Sequence, residues 1–209
     1  MFVGSALKDT IYISKLYTVH YFEFSKNYEF TGESHNFWEF VYIDKGEAII
    51  TADDKNILLK QGNVIFHKPN EWHNIKANGK IPPNIVIVSF ECTSKDMAFF
   101  ENKTLPVGHE QKILISKIIS EYMNSFAEPL NNVYTNSLKR KENQLIGSEQ
   151  LLRQYLCEFL LSFLRKHPTS IQNAELNYKL HAIEYFKKSD YRKSDLIYRF
   201  KQNNDNNYI

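Results

Sequence analysis

The pattern of hydrophobic and polar residues changes near residue 105 of this 209-residue chain. Before that point, short runs of β-branched and aromatic residues alternate with polar turns, which is typical of β-strands. The predicted strands are 11–24, 35–43, 48–52, 57–59, 64–66, 72–77 and 85–90. Their spacing of roughly 8–12 residues predicts an antiparallel sandwich or barrel. Residues 1–10 are weakly patterned, and we expect them to form a mobile arm.

Two neighbouring strands are expected to form a hairpin. A polar turn at 44–47, which contains Gly46, separates strand 35–43 from strand 48–52. Connections this short usually join antiparallel partners in one sheet. We therefore expect these two strands to pair with each other.

After residue 105, apolar residues recur every three or four positions, which predicts amphipathic helices at 111–126 and 148–166. Residues 130–147, between them, are polar and give no clear prediction. The Leu and Phe stripe of the second helix can be buried inside one chain or between two chains, and its width favours some burial between chains. Further helices are expected at 177–188 and 195–201.

Composition and charge narrow the class of protein. Hydrophobic residues make up 43% of the chain and aromatic residues 14%, enough to bury a sizeable core. The net charge of +2 is too small to indicate a partner, although the last 45 residues alone carry +4. That basic end is typical of a segment that faces nucleic acid, and equally of a solvated lysine-rich surface.

Features that the sequence lacks disfavour several other classes. No run of 18 apolar residues is present, so we expect no membrane span. The two cysteines, Cys92 and Cys157, provide no disulfide framework, and no secretory-type segment begins the chain, which predicts a reduced, cytoplasmic setting. A nucleophilic triad, a P-loop and a dinucleotide fingerprint are missing, which disfavours hydrolases, NTPases and Rossmann enzymes.

One group of residues could carry chemistry. His35 and Glu39 are four positions apart on a predicted strand, so both point to the same side of it. Phe37 and Val41 share that side. His73 follows a later turn, and it would approach His35 and Glu39 if the strands close into a barrel. Two imidazoles and a carboxylate suit a divalent first-row metal ion.

The same residues also have a simpler interpretation. Glu33, two positions before His35, lies on the same side and could supply a fourth metal ligand. The cluster could instead be the polar lining of a pocket, with its groups hydrogen-bonded to one another or to water. The remaining inward-facing candidates would either line a cavity or simply fill the barrel; they are Phe37, Val41, Ile65, His67 and Ile75.

The spacing of these residues resembles the two sequence motifs of the cupin family. The first is H-x3-E-x6-G at residues 35–46, and the second is G-x6-P-x3-H at residues 62–73. Metal-binding cupins have an HxH pair in the first motif, whereas this chain reads Glu33-Ser34-His35 at that place. The sequence therefore resembles a cupin in which a Glu replaces one His.

A fuller resemblance is to the N-terminal sensor and dimerisation domain of AraC-family transcription regulators. It rests on the segments HNFWEFVYIDKG and LLKQGNVIFHKPNEWH and on the two helices after them, and it covers roughly residues 15–167. The resemblance implies a mainly β jelly-roll cupin barrel followed by a C-terminal helical pair. It also implies a small effector, often a sugar, inside the barrel, and homodimerisation through helices 111–126 and 148–166.

The resemblance divides the chain into three parts. Residues 1–105 would form the ligand-binding barrel with its arm, and residues 106–167 the helical dimerisation region. The segment LHAIEYFKKS resembles the first helix of the family's DNA-binding domain, but residues 168–209 are too few for two helix-turn-helix units. We therefore expect residues 168–209 to be a remnant or truncated start of that domain, partly disordered, through which any DNA contact would be made.

The resulting hypothesis is a small-molecule-sensing domain that is not an enzyme and needs no cofactor. A polar effector would bind inside the barrel, reorder the N-terminal arm or the barrel mouth, and bias how the helices pack in a homodimer. The expected ligand-binding residues are His35, Phe37, Glu39, Val41, Ile65, His67, His73 and Ile75.

Two other functions stay open at this point. The first is a metal-dependent cupin enzyme, such as a dioxygenase or isomerase, in which His35, Glu39 and His73, with or without Glu33, would hold Fe, Mn, Ni or Zn. The second is an interaction module whose barrel is filled by side chains and takes no ligand. Bound metal would indicate the enzyme, and a small-molecule ligand would indicate the sensor.

Overall fold

The structure is a computed structural model, and it describes residues 1–166. The helices expected at 177–188 and 195–201, and the expected remnant of a DNA-binding domain at 168–209, lie outside the described residues. The strands are β1 (Ile13–Glu23), β2 (Trp38–Lys45), β3 (Glu47–Ala52), β4 (Lys55–Lys60), β5 (Asn63–His67), β6 (His73–Ala77), β7 (Asn84–Cys92) and β8 (Thr104–Pro106). The helices are a 3-10 helix (Lys95–Phe100), α1 (His109–Ser125) and α2 (Ser148–Lys166).

The strands form two antiparallel sheets that face each other. The large sheet has the order β1-β7-β2-β5-β8, and the small sheet has the order β4-β3-β6. Apolar side chains from both sheets meet between them, among them Val41 and Ile43 of β2 and Ile50 of β3. This arrangement, with helices following the strands, confirms the predicted jelly-roll cupin class.

Strands β2 and β3 do not form the predicted hairpin. In the large sheet β2 lies between β7 and β5, so both of its edges are already paired, and β3 lies between β4 and β6 in the small sheet. The chain passes from one sheet to the other at Gly46, which has φ +73°. A Cβ at this position would clash with the carbonyl oxygen of Pro82, so the corner requires glycine.

Both helices pack on the outer face of the large sheet. The ring of Phe159 in α2 lies 4.9 Å from Phe40 of β2, and Leu114, Ile115 and Ile118 of α1 belong to the same buried cluster. The buried stripe of α2 consists of Leu152, Leu156, Phe159, Leu160 and Phe163. This stripe is therefore buried against the chain's own sheet, and the outer side of the helix pair is what remains for a second chain.

Residues 1–164 form one compact unit that contains the barrel and both helices, and Arg165 begins a second unit. Residues 1–10 form no strand or helix, and all of their side chains are exposed. No helix within residues 1–166 combines the length and the apolarity that crossing a membrane requires. The domain limits expected from the sequence, at 105 and 167, stay predictions.

Candidate functional site

A cavity of about 210 Å³ lies inside the barrel. Strands β1, β2, β6 and β7 contribute to its wall, together with the segment before β2 and the connection between the two helices. The lining residues are Thr18, His20, Phe22, Phe24, Tyr28, Phe30, Glu33, His35, Phe37, Glu39, His73, Ile75, Ile87, Ser89, Val133 and Thr135. The cavity therefore combines an aromatic wall with a group of titratable residues.

The aromatic wall is a continuous stack of rings. His20 stacks on Phe22 at 4.8 Å between ring centroids, Phe22 on Phe24 at 4.9 Å, and Phe24 on Tyr28 at 3.6 Å. Strand alternation places the first three on one side of the chain, because they are two positions apart. Their edges and exposed faces supply the apolar contact area that small-molecule sites usually have.

The titratable group is centred on the buried carboxylate of Glu39. Its oxygens lie 3.6 Å from Nε2 of His35 and 3.5 Å from Nε2 of His73, and Ser89 Oγ donates a hydrogen bond to it at 2.7 Å. Glu33 approaches from the outside, with its oxygen 4.0 Å from His73 Nε2. One ligand atom from each of Glu33, His35, Glu39 and His73 lies within 4.8 Å of the others.

Glu39 and His73 shift each other's pKa in opposite directions. Burial by itself raises the pKa of the Glu39 carboxyl, but the adjacent imidazoles of His35 and His73 outweigh burial and hold it well below its usual value. Burial likewise lowers the pKa of the His73 imidazole, and the neighbouring Glu39 carboxylate outweighs this and raises it above its usual value. The pair therefore favours the ionised acid beside the protonated imidazole.

Backbone carbonyls fix the orientation of the two imidazoles. Nδ1 of His35 donates to the carbonyl of Phe37 at 3.0 Å, and Nδ1 of His73 donates to the carbonyl of Glu71 at 3.0 Å. A carbonyl oxygen only accepts, so each Nδ1 carries a hydrogen and each Nε2 faces Glu39. Both Nε2 atoms are buried and have no hydrogen-bond partner among the described residues.

His67 supports this group from behind. Its ring stacks on His73 with centroids 4.2 Å apart, and its Nδ1 donates to the Glu71 carboxylate at 2.8 Å. Glu71 therefore holds His67 through its side chain and His73 through its backbone. His67 itself does not line the cavity.

Five of the eight expected ligand-binding residues line the cavity: His35, Phe37, Glu39, His73 and Ile75. Glu33, which was expected as a fourth metal ligand, lines it too. His67 lies behind His73, while Val41 and Ile65 do not reach the cavity. Both are 2% exposed or less and fill the space between the sheets, because beyond Glu39 the barrel is packed solid with aliphatic side chains. Of the five residues that were expected either to line a cavity or to fill the barrel, Phe37 and Ile75 line the cavity, whereas Val41 and Ile65 fill the barrel.

Sequence reasoning missed much of the wall. Thr18, His20 and Phe22 were within a predicted strand at every second position, so alternation alone could have placed them on one face. Ser89 interrupts an otherwise apolar strand, which is a weaker signal of the same kind. Val133 lies in a polar segment that carries no periodic signal.

The structure is similar to several solved cupins over part of its length. The predicted oxalate decarboxylase from Thermotoga maritima is 22% identical, with a TM-score of 0.36, and the match covers 37% of this chain and 68% of that one. A cupin protein from Bacteroides fragilis is 18% identical, with a TM-score of 0.35, over 43% of this chain and 83% of that one. An RmlC-like cupin from Shewanella frigidimarina is 21% identical, with a TM-score of 0.30, over 38% and 68%.

Comparison by sequence points to one family. Among curated proteins, none is similar enough to this chain to count as a match. The match to a family model begins within β1 and ends just after β7, so it covers the strands that enclose the cavity. Residues 17–93 of the chain match the family described as the AraC-like ligand binding domain.

Proposed function

We propose that the barrel binds a small polar metabolite and acts as the effector-sensing domain of a transcription regulator, without catalysing a reaction. The observation that carries this proposal is the cavity, which brings together an aromatic wall and the Glu39–His73 pair, whose carboxylate oxygen and Nε2 lie 3.5 Å apart. The match of residues 17–93 to a ligand-binding family supports the same function.

The cavity's size and chemistry limit the effector. About 210 Å³ is below the usual range for drug-sized ligands, which favours a small metabolite. The ring stack of β1 would contact its C–H groups. Glu39 would accept hydrogen bonds from its hydroxyl or amino groups, and His73 would donate one.

The outer side of the helix pair is the proposed dimer contact. Ile113 and Met123 of α1 are 42% and 47% exposed, and Leu151 of α2 is 37% exposed, which leaves apolar area for a second copy of the chain. Any DNA contact would be made after α2, within residues 168–209. Sedimentation of the purified chain as a monomer at tens of micromolar would contradict the dimer.

Filling the cavity should abolish effector binding. Thr18 faces the cavity, where its Oγ1 lies 2.9 Å from Ser89 Oγ, so Thr18→Phe would occupy the space of the ligand. In a thermal-shift screen against sugars and small organic acids, a compound at about 100 times its Kd should stabilise the wild-type chain by about 2.7 kcal/mol. We expect the same compound to leave the melting temperature of Thr18→Phe unchanged.

The matched control is Thr51→Phe, which makes the same change on β3 at a hydroxyl that hydrogen-bonds to Asn56 away from the cavity. This variant should keep the full thermal shift. A Thr18→Phe chain that is stabilised as strongly as the wild type would show that the compound binds elsewhere.

A second candidate function, a metal-dependent cupin enzyme, is favoured by one specific observation. His35 and His73 each have Nδ1 fixed by a carbonyl and a buried, unpartnered Nε2 beside Glu39, which is how metal-binding histidines are usually held. Glu33, His35, Glu39 and His73 therefore fit a divalent first-row ion. Such an ion would supply Lewis-acid chemistry at the cavity floor.

A cobalt titration tests this candidate. If the cluster binds metal, equilibrium dialysis should give one Co²⁺ per chain, and His73→Ala should weaken binding by at least about 100-fold because a direct ligand is lost. His109→Ala, which removes an exposed imidazole at the start of α1, should leave binding unchanged. Equal weakening by both variants, or no stoichiometric binding, would rule out this metal site.

A further inference from the structure

The connection between the two helices reaches back over the barrel. We call residues 126–141 the strap. Its two limbs pair at the base, where Phe126 and Arg140 form an isolated antiparallel bridge. Ala127 N donates to Lys139 O at 2.9 Å, and Lys141 N donates to Ser125 O at 2.9 Å. The strap is thus a closed loop whose ends are held together and whose tip is formed by residues 130–135.

The tip is bonded to the free edge of β1. Within residues 1–166, strand β1 is the edge of the large sheet and has β7 as its strand partner. The carbonyl of Leu130 accepts a hydrogen bond from Tyr21 N at 3.0 Å and another from His20 Nδ1 at 3.2 Å. Beyond Leu130, Val133 and Thr135 line the cavity. The tip therefore supplies part of the cavity wall that the barrel itself leaves open.

The N-terminal arm does not supply this wall. None of the lining residues comes from residues 1–10, whose side chains are all exposed. The expectation that an effector reorders the N-terminal arm stays a prediction, whereas Val133 and Thr135 of the strap already line the cavity.

The base of the strap is also tied to the start of α2. Arg140 makes a two-point ion pair with Glu149, at 2.7 and 3.0 Å, and Ser125 Oγ donates to Ser148 Oγ at 2.8 Å. Bidentate pairs of this kind hold both position and orientation. A displacement of the tip would therefore be transmitted to the C-terminal end of α1 and the N-terminal end of α2.

We propose that the strap is the lid of the cavity, that Val133 and Thr135 contact the bound ligand, and that ligand contact at the strap changes how α1 and α2 are held. This inference rests on the proposed ligand-binding function and names the element that regulates it. A ligand filling the cavity would add contacts to a strap whose tip is held to the barrel by the two bonds to the Leu130 carbonyl and by the packing of its side chain on the core. Occupancy would thereby favour the closed strap.

The lid can be tested without a ligand by the chemical reactivity of the enclosed histidines. Diethyl pyrocarbonate, a probe of metabolite size, modifies neutral imidazoles that it can reach. In the double variant Val133→Gly/Thr135→Gly, the rate of modification of His20 and His35, measured by mass spectrometry, should rise by at least about 10-fold relative to exposed His109, because the strap opens more often.

The control is Tyr134→Gly, which places one glycine between the two substituted positions and removes a side chain that is 86% exposed. We expect less than about a 2-fold change in this variant. A second opening variant, Arg140→Gln, leaves the tip intact and breaks the ion pair at the base, so it should raise the same two rates. If neither the double variant nor Arg140→Gln raises the rates above those of Tyr134→Gly, the lid is refuted.

Amide exchange gives an independent readout of the same opening. The Tyr21 N–H is bonded to Leu130, so its exchange should accelerate in the double variant. The amides on the β7 side, such as Phe24 N–H, which donates to the Pro83 carbonyl at 3.0 Å, should not change. These measurements need no ligand, so they test the lid separately from the proposed function. If the variants open the strap but the thermal-shift screen finds no metabolite that binds, only the proposed function is contradicted. Unchanged Tyr21 exchange would contradict the lid alone.

Discussion

Replacing Glu39 by Gln is expected to lower the free energy of unfolding by about 3 kcal/mol near pH 5.5, and by less than about 1 kcal/mol near pH 9. At the lower pH the variant leaves the protonated His73 buried without its counter-charge. Removing one partner of a buried ion pair destabilises a protein more than replacing both, because an uncompensated charge stays buried. As the pH rises through the folded-state pKa of His73, the imidazole loses its charge, so removing the carboxylate charge then costs less.

The pH window follows from the two opposite pKa shifts. The pKa of Glu39 in the folded chain lies below its ordinary value of 4.5, so the carboxylate contributes stability above that pH and loses it as the pH falls through the folded-state pKa. The pKa of His73 lies above its ordinary value of 6.5, so the imidazolium contributes below that pH and loses it as the pH rises through the folded-state pKa. Both contributions are complete together only between about 4.5 and 6.5.

Urea denaturation at a series of pH values, in buffer with a chelator so that no metal ion replaces the proton, measures this difference. The control is Glu29→Gln, which breaks a pair with Lys76 in which both side chains are more than half exposed, and which should change stability little at any pH. An equal loss at pH 5.5 and pH 9 for Glu39→Gln would contradict the coupling of Glu39 to His73.

The second large effect is expected in the helix pair. Phe159→Ala should lower the free energy of unfolding by about 3–5 kcal/mol, because the ring is fully buried and its removal leaves a cavity between α2 and the large sheet. The ring also contacts Phe163 at 5.2 Å, so part of an aromatic cluster is lost. Since these contacts lie within one chain, the loss should not depend on protein concentration.

Denaturation at two protein concentrations about 50-fold apart tests this. The loss of stability would change with concentration only if the substituted residue lay between two chains. The control is Leu151→Ala on the same helix, whose side chain is partly exposed on the outer face and which should cost under about 1 kcal/mol at the lower concentration. A loss for Phe159→Ala that appears only at the higher concentration would place the α2 stripe between two chains.

The local elements of this protein follow from its sequence to within a few residues. The helix expected at 148–166 is Ser148–Lys166, and the strand expected at 11–24 is Ile13–Glu23. Side chains return to the same face every two residues in a strand and every three to four residues in a helix. The spacing of apolar residues within a short segment is therefore enough to predict which element it forms. His35 does approach Glu39, to 3.6 Å, but it lies before β2 and not on the strand as predicted.

Strand partners did not follow from the sequence. The expected hairpin of β2 with β3 was wrong because each strand takes its partners from distant parts of the chain; Glu39 of β2, for example, lies opposite Ser89 of β7. The hydrogen bond between those two side chains spans 50 positions. A short turn such as that at Gly46 is compatible both with a hairpin and with a corner between two sheets, so turn length could not decide between them.

By itself, the sequence determined the order and type of seven strands and of α1 and α2, the inward side of β2, and the residues of the titratable cluster, because all of these depend on local alternation and motif spacing. It did not predict the short 3-10 helix or β8. Only the tertiary structure decided which inward residues border open space and which fill the barrel, and that two residues of the strap line the cavity. Whether an inward side chain borders open space depends on the distance between the two sheets around it. The position of the strap, whose sequence has no periodic pattern, depends on unpaired backbone groups elsewhere in the fold, here the free edge of β1.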